Sequence, residues 1–234
     1  MGKIVVSENV SVDGVIEDPT GAEGLRVGGW FWETDRGEDG EQFTLDKTLG
    51  TEALLLGRRS YEFFAATWPS RSGELADKLN SLPKYVVSST LDAPDWDNST
   101  VLNGDVIDEV SQLKQELTGE IVVLGSPQLA RTMIEHDLVD ELRLMIYPVA
   151  LGAGARLFGE TSDKKPLRLV DTRTVGDGIA ILTYERVREA ERASDGASLQ
   201  DKRATALRQR ASRRAPSGRS CARSACYLNT CSYE

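Results

Sequence analysis

The feature that most constrains the fold is an alternation of short apolar runs with helix-like segments along the first 187 residues. Runs such as Ala53–Leu56 and Ile121–Leu124 show no polar alternation, which is typical of strands buried on both faces of a parallel sheet. Between such runs, the spacing of Ile107, Val110 and Leu113 predicts a helix with one apolar face. The whole pattern predicts strands at 4–15 (its end turning into a loop), 53–56, 84–88, 99–102, 121–124 and 142–149, and helices at 42–49, 61–67, 74–82, 107–117 and 129–138.

The end of this region has a different pattern. Two strand-like segments, 167–175 and 178–187, flank Gly176-Asp177-Gly178 and predict a β-hairpin. Strands that alternate with helices and then finish in an antiparallel pair predict an α/β fold. We expect a three-layer sandwich around a mixed, mostly parallel central sheet with a C-terminal antiparallel hairpin. Residues 1–187 are therefore assigned to one domain.

The composition changes abruptly after Val187. Residues 188–234 are rich in Arg, Ala and Ser and have no sustained apolar periodicity, so we predict a disordered basic tail. This segment holds ten of the 28 basic residues, five of the 37 acidic residues and all three cysteines. Three cysteines at an unfamiliar spacing, without a neighbouring histidine, do not predict a metal site, and we expect none.

The remaining 187 residues are strongly acidic, with 18 basic and 32 acidic residues and a net charge of −14. Such a domain repels the phosphates of nucleic acids and anionic lipids, so we expect a small-molecule ligand instead. The domain lacks cysteine, and the single histidine, His136, argues against a Ser-His-Asp triad. No run approaches the roughly 18 apolar residues of a membrane span, and no secretory signal is evident, so we expect a cytoplasmic protein.

Three strand-to-helix junctions carry the residues most suited to bind a ligand, because ligands of such sheets sit at the carboxyl ends of the strands. At Gly125-Ser126-Pro127-Gln128, glycine permits a tight turn, Ser126 is a favoured N-cap and Pro127 suits the first helical position. The helix that follows offers unpaired amides to a pyrophosphate. An ordinary capped helix is the alternative interpretation.

The second junction is Gly57-Arg58-Arg59-Ser60. Two arginines at a helix N-terminus oppose the helix dipole unless an anion lies there. Guanidinium groups suit phosphate, including the 2′-phosphate that distinguishes NADP from NAD. A solvated basic surface is the alternative. The third junction, Ser88-Ser89-Thr90, is rich in hydroxyl groups but is a weak signal alone.

A long loop over 17–40 contains Trp30, Phe31 and Trp32. Loops of this length in a compact domain are usually functional or disordered, and the tryptophans favour a function. Trp30 is interpreted either as part of the substrate wall or as a loop anchor. Asp13, before Gly14, is interpreted as a substrate-side residue or as a turn residue that bonds its own backbone.

Three stretches of the chain resemble the dihydrofolate-reductase-like family, which includes the pyrimidine reductase domain of riboflavin biosynthesis. They are Ser11-Val12-Asp13-Gly14, the segment from Leu56 to Glu62, and the long run from Val123 through Asp140 to Gly152. The likeness covers residues 3–186. At Leu124 the riboflavin-pathway reductases commonly have a glutamate, and the acidic residues between Asp35 and Glu41 match no motif of the family.

The resemblance implies an NADPH pocket built from the three junctions. In it the diphosphate is held by Gly57, Arg58, Arg59, Ser60, Gly125, Ser126, Pro127, Gln128 and Leu129, the adenosine end by Ser88, Ser89 and the two arginines, and the nicotinamide amide by the backbone of Asn9 and Val10. The loop that carries Trp30 covers the nicotinamide and the substrate.

The function expected from this resemblance is an NADPH-dependent reductase that transfers a hydride to a pteridine- or pyrimidine-type heterocycle. Dihydrofolate and the riboflavin precursor 5-amino-6-(5-phosphoribosylamino)uracil are substrates of that type. The source of the proton stays open between water and a loop carboxylate. Two alternatives are reduction of another small carbonyl or imine, and a nucleotide-binding or sensing domain without turnover. We also expect a homodimer, to which the strand at 142–149 would contribute.

Overall fold

The computed structural model describes residues 1–188 of the 234-residue chain. The predicted tail therefore lies outside the described residues, apart from Arg188. In chain order the described elements are β1 (Lys3–Ser11), a 3-10 helix (Trp30–Trp32), α1 (Gly37–Leu49), β2 (Thr51–Gly57), α2 (Arg58–Thr67), α3 (Glu74–Ser81), β3 (Lys84–Val87), β4 (Ser99–Leu102), α4 (Val106–Glu116), β5 (Glu120–Leu124), α5 (Pro127–Glu135), β6 (Glu141–Tyr147), β7 (Leu167–Val175) and β8 (Ile179–Arg186).

All eight strands belong to one sheet with the order β4-β3-β2-β5-β1-β6-β8-β7. The six strands from β4 to β6 in this order are parallel to their neighbours. The hairpin β7–β8 completes the sheet, with β8 antiparallel to both β6 and β7. The predicted mixed, mostly parallel sheet with a C-terminal antiparallel hairpin is confirmed.

Helices cover both faces of this sheet, because the parallel strands alternate apolar side chains to either side. On β1, Ile4 and Val6 belong to a core cluster that includes residues of α4 and α5. Val5, between them, belongs to a second cluster with residues of α2 and α3. All three valine and isoleucine side chains are fully buried, and each such side chain contributes about 1.5–3 kcal/mol to stability. The result is the three-layer arrangement expected from the sequence.

Helix α1 begins at Gly37, five residues before the predicted start at Gln42. Its first turn contains Glu38 and Asp39, whose charges favour a helix N-terminus. Gly40 has no side chain, and a Cβ there would lie 3.1 Å from Cγ2 of Val175. The glycines that suggested a loop therefore let this helix pack closely against the hairpin. Among the described residues, no helix is long and apolar enough to cross a membrane.

Candidate functional site

The sheet order brings the three predicted junctions to the same edge. Strands β3, β2, β5 and β1 are consecutive in the sheet and parallel, so their carboxyl ends lie side by side. A cavity of about 1390 Å³ opens at this edge. Twelve of the fifteen predicted site residues line it: Asn9, Gly57, Arg58, Arg59, Ser60, Ser88, Ser89, Gly125, Ser126, Pro127, Gln128 and Leu129.

The β2–α2 and β5–α5 junctions are tied together by one hydrogen bond. The backbone N–H of Gly57 donates to Oγ of Ser126 over 2.8 Å. Ser126 precedes α5 in a left-handed conformation, with φ of 63°, and its side chain makes no capping hydrogen bond. Ser126 occupies the N-cap position of α5, as predicted, but its hydroxyl is directed at the neighbouring junction instead of at the amides of its own helix. The first-turn amides of α5 consequently receive no side-chain cap.

The glycines at these junctions permit a close approach of the two loops. Gly125 has φ of +60°, and a Cβ at this position would lie 3.0 Å from Oγ of Ser60. A Cβ on Gly57 would lie 3.3 Å from Oγ of Ser126. Any larger side chain at either glycine would push the two loops apart. The backbone of both loops is thus accessible from the cavity.

Both arginines of the second junction line the cavity, and each already has a carboxylate partner. Arg58 donates through Nε to Glu62 over 2.7 Å and through Nη1 to Oγ1 of Thr90 over 2.6 Å. Arg59 donates to Glu23 of the long loop over 2.6 Å. Arg58 therefore bridges the second and third junctions. Both side chains remain exposed, Arg58 at 48% and Arg59 at 79%, so the solvated basic surface considered from the sequence stays open beside a phosphate-binding role.

At the third junction, the hydroxyl of Ser88 shapes the turn. Its Oγ accepts the backbone N–H groups of Thr90 and Leu91 over 3.2 and 3.1 Å. Ser89 is exposed and lines the cavity beside it. The same turn holds Arg58, whose guanidinium donates to Oγ1 of Thr90. The junction with the weakest sequence signal is therefore linked directly to an arginine of the second junction.

Strand β1 contributes three polar residues to the cavity wall, Ser7, Glu8 and Asn9. Oε1 of Glu8 and Oδ1 of Asn9 are both buried, and neither has a hydrogen-bond partner among the described residues. Burial raises the pKa of the Glu8 carboxyl well above its usual value of 4.5. Val10 packs in the core at 4% exposure and does not line the cavity with its side chain. Glu8 was missed, although a glutamate in the apolar alternating row of Ile4–Val10 is a signal that could have found it.

Trp30 is not part of the cavity wall. It is 1% exposed, lies edge-on to Tyr147 with ring centroids 5.2 Å apart, and donates from Nε1 to the carbonyl of Glu17 over 3.3 Å. Phe31 and Trp32, the next two residues, line the cavity instead. The loop was correctly predicted to reach the site, but Trp30 is its anchor. The sequence alone does not reveal which of three consecutive aromatics a 3-10 turn directs inward.

Asp13 also lies outside the cavity lining and has a structural role. Its carboxylate accepts the backbone N–H groups of Leu151 over 3.0 Å and Gly152 over 2.8 Å. These bonds, with that from Ser11, lower the pKa of Asp13 from 3.8 to about 2. The predicted contact of Asp13 with substrate is therefore replaced by a clasp between two loops. The turn interpretation was close, but the bonded backbone belongs to a distant loop.

A second group of lining residues comes from α1 and from the neighbouring strands, on the face opposite to Glu8. We call it the α1 side of the cavity, and it is bordered by Ser7, Thr44, Lys47, Thr48, Arg143 and Met145. The carboxylates of Asp35, Glu38, Asp39 and Glu41 do not line it. No sequence motif marks these residues, because strand register and helix packing bring them together.

Arg143 is the most buried charge on the α1 side, with 3% exposure. Its Nη2 donates to Glu120 over 2.6 Å, and it also pairs with Glu141. Register places it directly beside Ser7 of β1. The two carboxylates neutralise this arginine. Lys47, whose ammonium lies 5.6 Å from the ring centroid of Phe43, is a further positive charge on this side.

A single-domain α/β sandwich with a ligand cavity at the carboxyl ends of parallel strands and a closing antiparallel hairpin defines a dihydrofolate-reductase-like class of protein. The family model described as the RibD C-terminal domain matches residues 2–181. The chain belongs to this reductase-like family.

Similar proteins extend over nearly the same region. The uncharacterized protein YyaP of Bacillus subtilis is 31% identical over 188 residues, covering 78% of this chain and 94% of that protein. The uncharacterized protein YwjB of the same organism is 27% identical over 179 residues, covering 76% and 95%.

Two solved structures share the fold. A putative riboflavin biosynthesis protein from Shewanella sp. PV-4 superposes with a TM-score of 0.62 at 22% identity, covering 80% of this chain and 99% of that one. A pyrimidine reductase-like protein from Corynebacterium diphtheriae gives a TM-score of 0.57 at 14% identity, covering 80% and 92%.

Proposed function

We propose that the protein is an NADPH-dependent reductase that transfers a hydride to a pteridine- or pyrimidine-type heterocycle. The observation that carries this proposal is the meeting of the loops that follow β2, β3 and β5, with their glycines, hydroxyls and arginines, in one large cavity. The first and the last of these loops lead into helices, whereas the loop after β3 leads to β4. Membership of a reductase-like family supports a reduction as the reaction.

The cavity residues fit a dinucleotide phosphate. The amides at the start of α5 have no side-chain cap, and Gly57 and Gly125 leave room for a diphosphate to approach the backbone. Arg58 and Arg59 lie at the rim, where a 2′-phosphate would exchange with their carboxylate partners. We assign the diphosphate to Gly57–Ser60 and Gly125–Leu129, and the adenosine end to Ser88, Ser89 and the two arginines.

The nicotinamide group supplies the hydride when it is bound. We assign the nicotinamide to the carboxyl end of β1, against the backbone of Asn9 and Val10. The flat heterocycle would lie on the α1 side, against Phe31 and Trp32, where an aromatic wall suits a planar ring. The hydroxyls of Ser7, Thr44 and Thr48 and the ammonium of Lys47 are available to hydrogen-bond its polar edge.

The cytoplasmic location stays a prediction.

The proposal is tested by calorimetric titration with NADPH, followed by absorbance at the nicotinamide band during incubation with dihydrofolate and with pyrimidine substrates. Binding in the low micromolar range and oxidation of NADPH with one heterocycle are expected. Binding without oxidation for any carbonyl, imine or heterocycle would favour a nucleotide-binding or sensing domain. Absence of NADPH binding would contradict the proposal altogether.

We propose further that the protein is a homodimer joined through β7. The contribution of the 142–149 strand stays a prediction, and it cannot be made by edge pairing, because β6 lies between β1 and β8 with both edges paired. Among the described strands β7 is the last in the sheet, and Leu167, Leu169 and Val170 are 37%, 48% and 46% exposed. Antiparallel pairing of two β7 strands centred on Thr172 would place Asp171 opposite Arg173 twice, which fits a second copy.

A further inference from the structure

Glu8 is a carboxyl group in the cavity wall whose hydrogen-bonding capacity the described protein leaves unused. The residue is 5% exposed and lines the cavity, and its Oε1 is sealed from solvent without a partner. An isolated buried carboxyl is costly, so native structures rarely retain one without a use. The group is far from the Arg143 network, which faces the opposite side of the sheet.

The surroundings of Glu8 favour the uncharged form of its carboxyl group. It shares one face of β1 with Val6 and Val10, and on this face the cavity is lined by Ile16 and Leu129 of the same apolar cluster. Burial is the cause of its raised pKa, with no charged residue contributing. Burial of this kind favours the protonated, neutral form of the carboxyl over the carboxylate.

A neutral carboxylic acid presents one O–H donor and one carbonyl acceptor side by side. The chemical group that complements this pair is a primary carboxamide, whose carbonyl accepts and whose NH₂ donates in the same plane. If the ligand carried a carboxylate or an ammonium in place of the amide, it could only accept or only donate hydrogen bonds. One of the two hydrogen-bonding atoms of Glu8 would then stay without a partner. The apolar walls formed by Ile16 and Leu129 suit the ring that carries such an amide.

We infer that Glu8 pairs with the primary carboxamide of the nicotinamide and so selects the intact cofactor at the carboxyl end of β1. The inference rests on the proposed function, since it takes NADPH as the ligand. It adds a side-chain determinant to the backbone contacts assigned to Asn9 and Val10. Glu8 acts as a binding residue in this role, and the proton of the reaction does not pass through it.

The test compares two ligands on three proteins by calorimetry. NADPH carries the carboxamide, whereas adenosine 2′,5′-bisphosphate keeps the adenosine end and lacks the nicotinamide. Glu8→Leu removes the hydrogen bonds, Glu8→Gln keeps one donor and one acceptor, and Val6→Ala perturbs the same buried face without touching a polar group. We expect Glu8→Leu to weaken NADPH binding by about tenfold or more, and Glu8→Gln by less than about threefold. Neither variant should change the affinity for the bisphosphate, and Val6→Ala should bind both ligands as the wild type does.

Equal losses for both ligands in Glu8→Leu would indicate a structural role and overturn the inference, as would unchanged NADPH binding. Failure of the wild type to bind either ligand would contradict the proposed function itself, and the inference would fall with it. A second measurement uses only the wild-type protein, so its result does not depend on whether the variants fold. An NADPH analogue with an acetyl group in place of the carboxamide lacks the N–H donors, and it should bind about tenfold more weakly than NADPH. Equal affinity for the two would overturn the pairing.

Discussion

Lys84 is a lysine that the fold buries completely, with 0% exposure at the start of β3. Its ammonium donates to the backbone carbonyls of Asn80 over 2.6 Å and Asp97 over 2.9 Å, and it lies 4.2 Å from the ring centroid of Trp96. Burial lowers the pKa of Lys84 from 10.5 to about 8, despite an opposing effect of Asp97. The side chain thus connects β3 to the C-terminal turn of α3 through Asn80, whereas the burial of its charge opposes folding.

This shift predicts a pH dependence of stability. Between pH 8 and pH 10.5 the unfolded chain holds a proton on this lysine that the folded protein has released, so the free energy of unfolding rises with pH. The gain relative to Lys84→Met should reach about 2–3 kcal/mol by pH 10, with no relative change below pH 7. Urea denaturation of both proteins from pH 6 to pH 10 measures the difference. Parallel stability curves would contradict the lowered pKa.

Arg58 carries the prediction on cofactor choice. Replacing it with alanine should weaken NADPH binding about tenfold or more and change NADH binding little, because a charge-assisted bond to the 2′-phosphate is lost. Arg26→Ala is the matched control, since Arg26 is an exposed arginine that does not line the cavity. Calorimetry with both cofactors on both variants makes the comparison. Equal losses for NADPH and NADH would place the 2′-phosphate elsewhere.

The location of a single residue could be predicted from the sequence where its role depends only on its position at the end of a strand. Gly57 and Gly125 follow strands, and their place at the cavity could be deduced from strand and helix patterns. Asp13 and Trp30 were misassigned because their roles depend on a distant loop and on Tyr147, which no local pattern encodes. Arg143 was missed for the same reason, since its neighbours come from other strands.

At the scale of elements, a hydrogen bond between the loops that follow β2 and β5 holds the two junctions of the site together. Ser126 does not cap its own helix, and its hydroxyl holds the N–H of Gly57 on the adjacent strand. The order and type of the elements followed from hydrophobic periodicity, and most of their ends lay within two residues. The start of α1 did not, because Gly37 and Gly40 are explained only by the hairpin that packs against them.

The exposed edge of β7 gives the prediction on assembly. Light scattering at micromolar concentration should give a dimer mass for the wild type. The double variant Leu169→Lys, Val170→Lys should be a monomer, because two exposed apolar side chains of the proposed interface strand are replaced by charged ones, which disfavour edge-to-edge pairing. Leu49→Lys is the control, since Leu49 is also exposed, at 41%, but lies on α1. A dimer that survives the double variant would exclude β7 as the interface.

At the scale of the whole molecule, residues 1–187 form one compact unit. The family match ends at residue 181, the last strand ends at Arg186, and the N–H of Val187 donates to the carbonyl of Pro166 over 3.1 Å. All the cavity-lining residues that the structure describes precede this point.

A chain that ends at Val187 should consequently melt within a few degrees of the full-length protein and bind NADPH with the same affinity. Differential scanning calorimetry and titration at low and high salt measure both properties. The salt series matters because basic residues that docked on the acidic domain would do so electrostatically. Loss of the dimer, or a salt-dependent change in affinity on truncation, would show that residues 188–234 take part in the working protein.

The position of the hairpin has a consequence for synthesis on the ribosome. Strand β8 is the last to be made, yet it lies between β6 and β7 inside the sheet. Strand β1 is synthesised first, but its two edges pair with β5 and β6, which are synthesised much later. A nascent chain therefore cannot complete the sheet in order, and the edge of β6 stays open until the final strand has emerged. Slow, late closure of this kind exposes unpaired strands to chaperones and to neighbouring chains throughout translation.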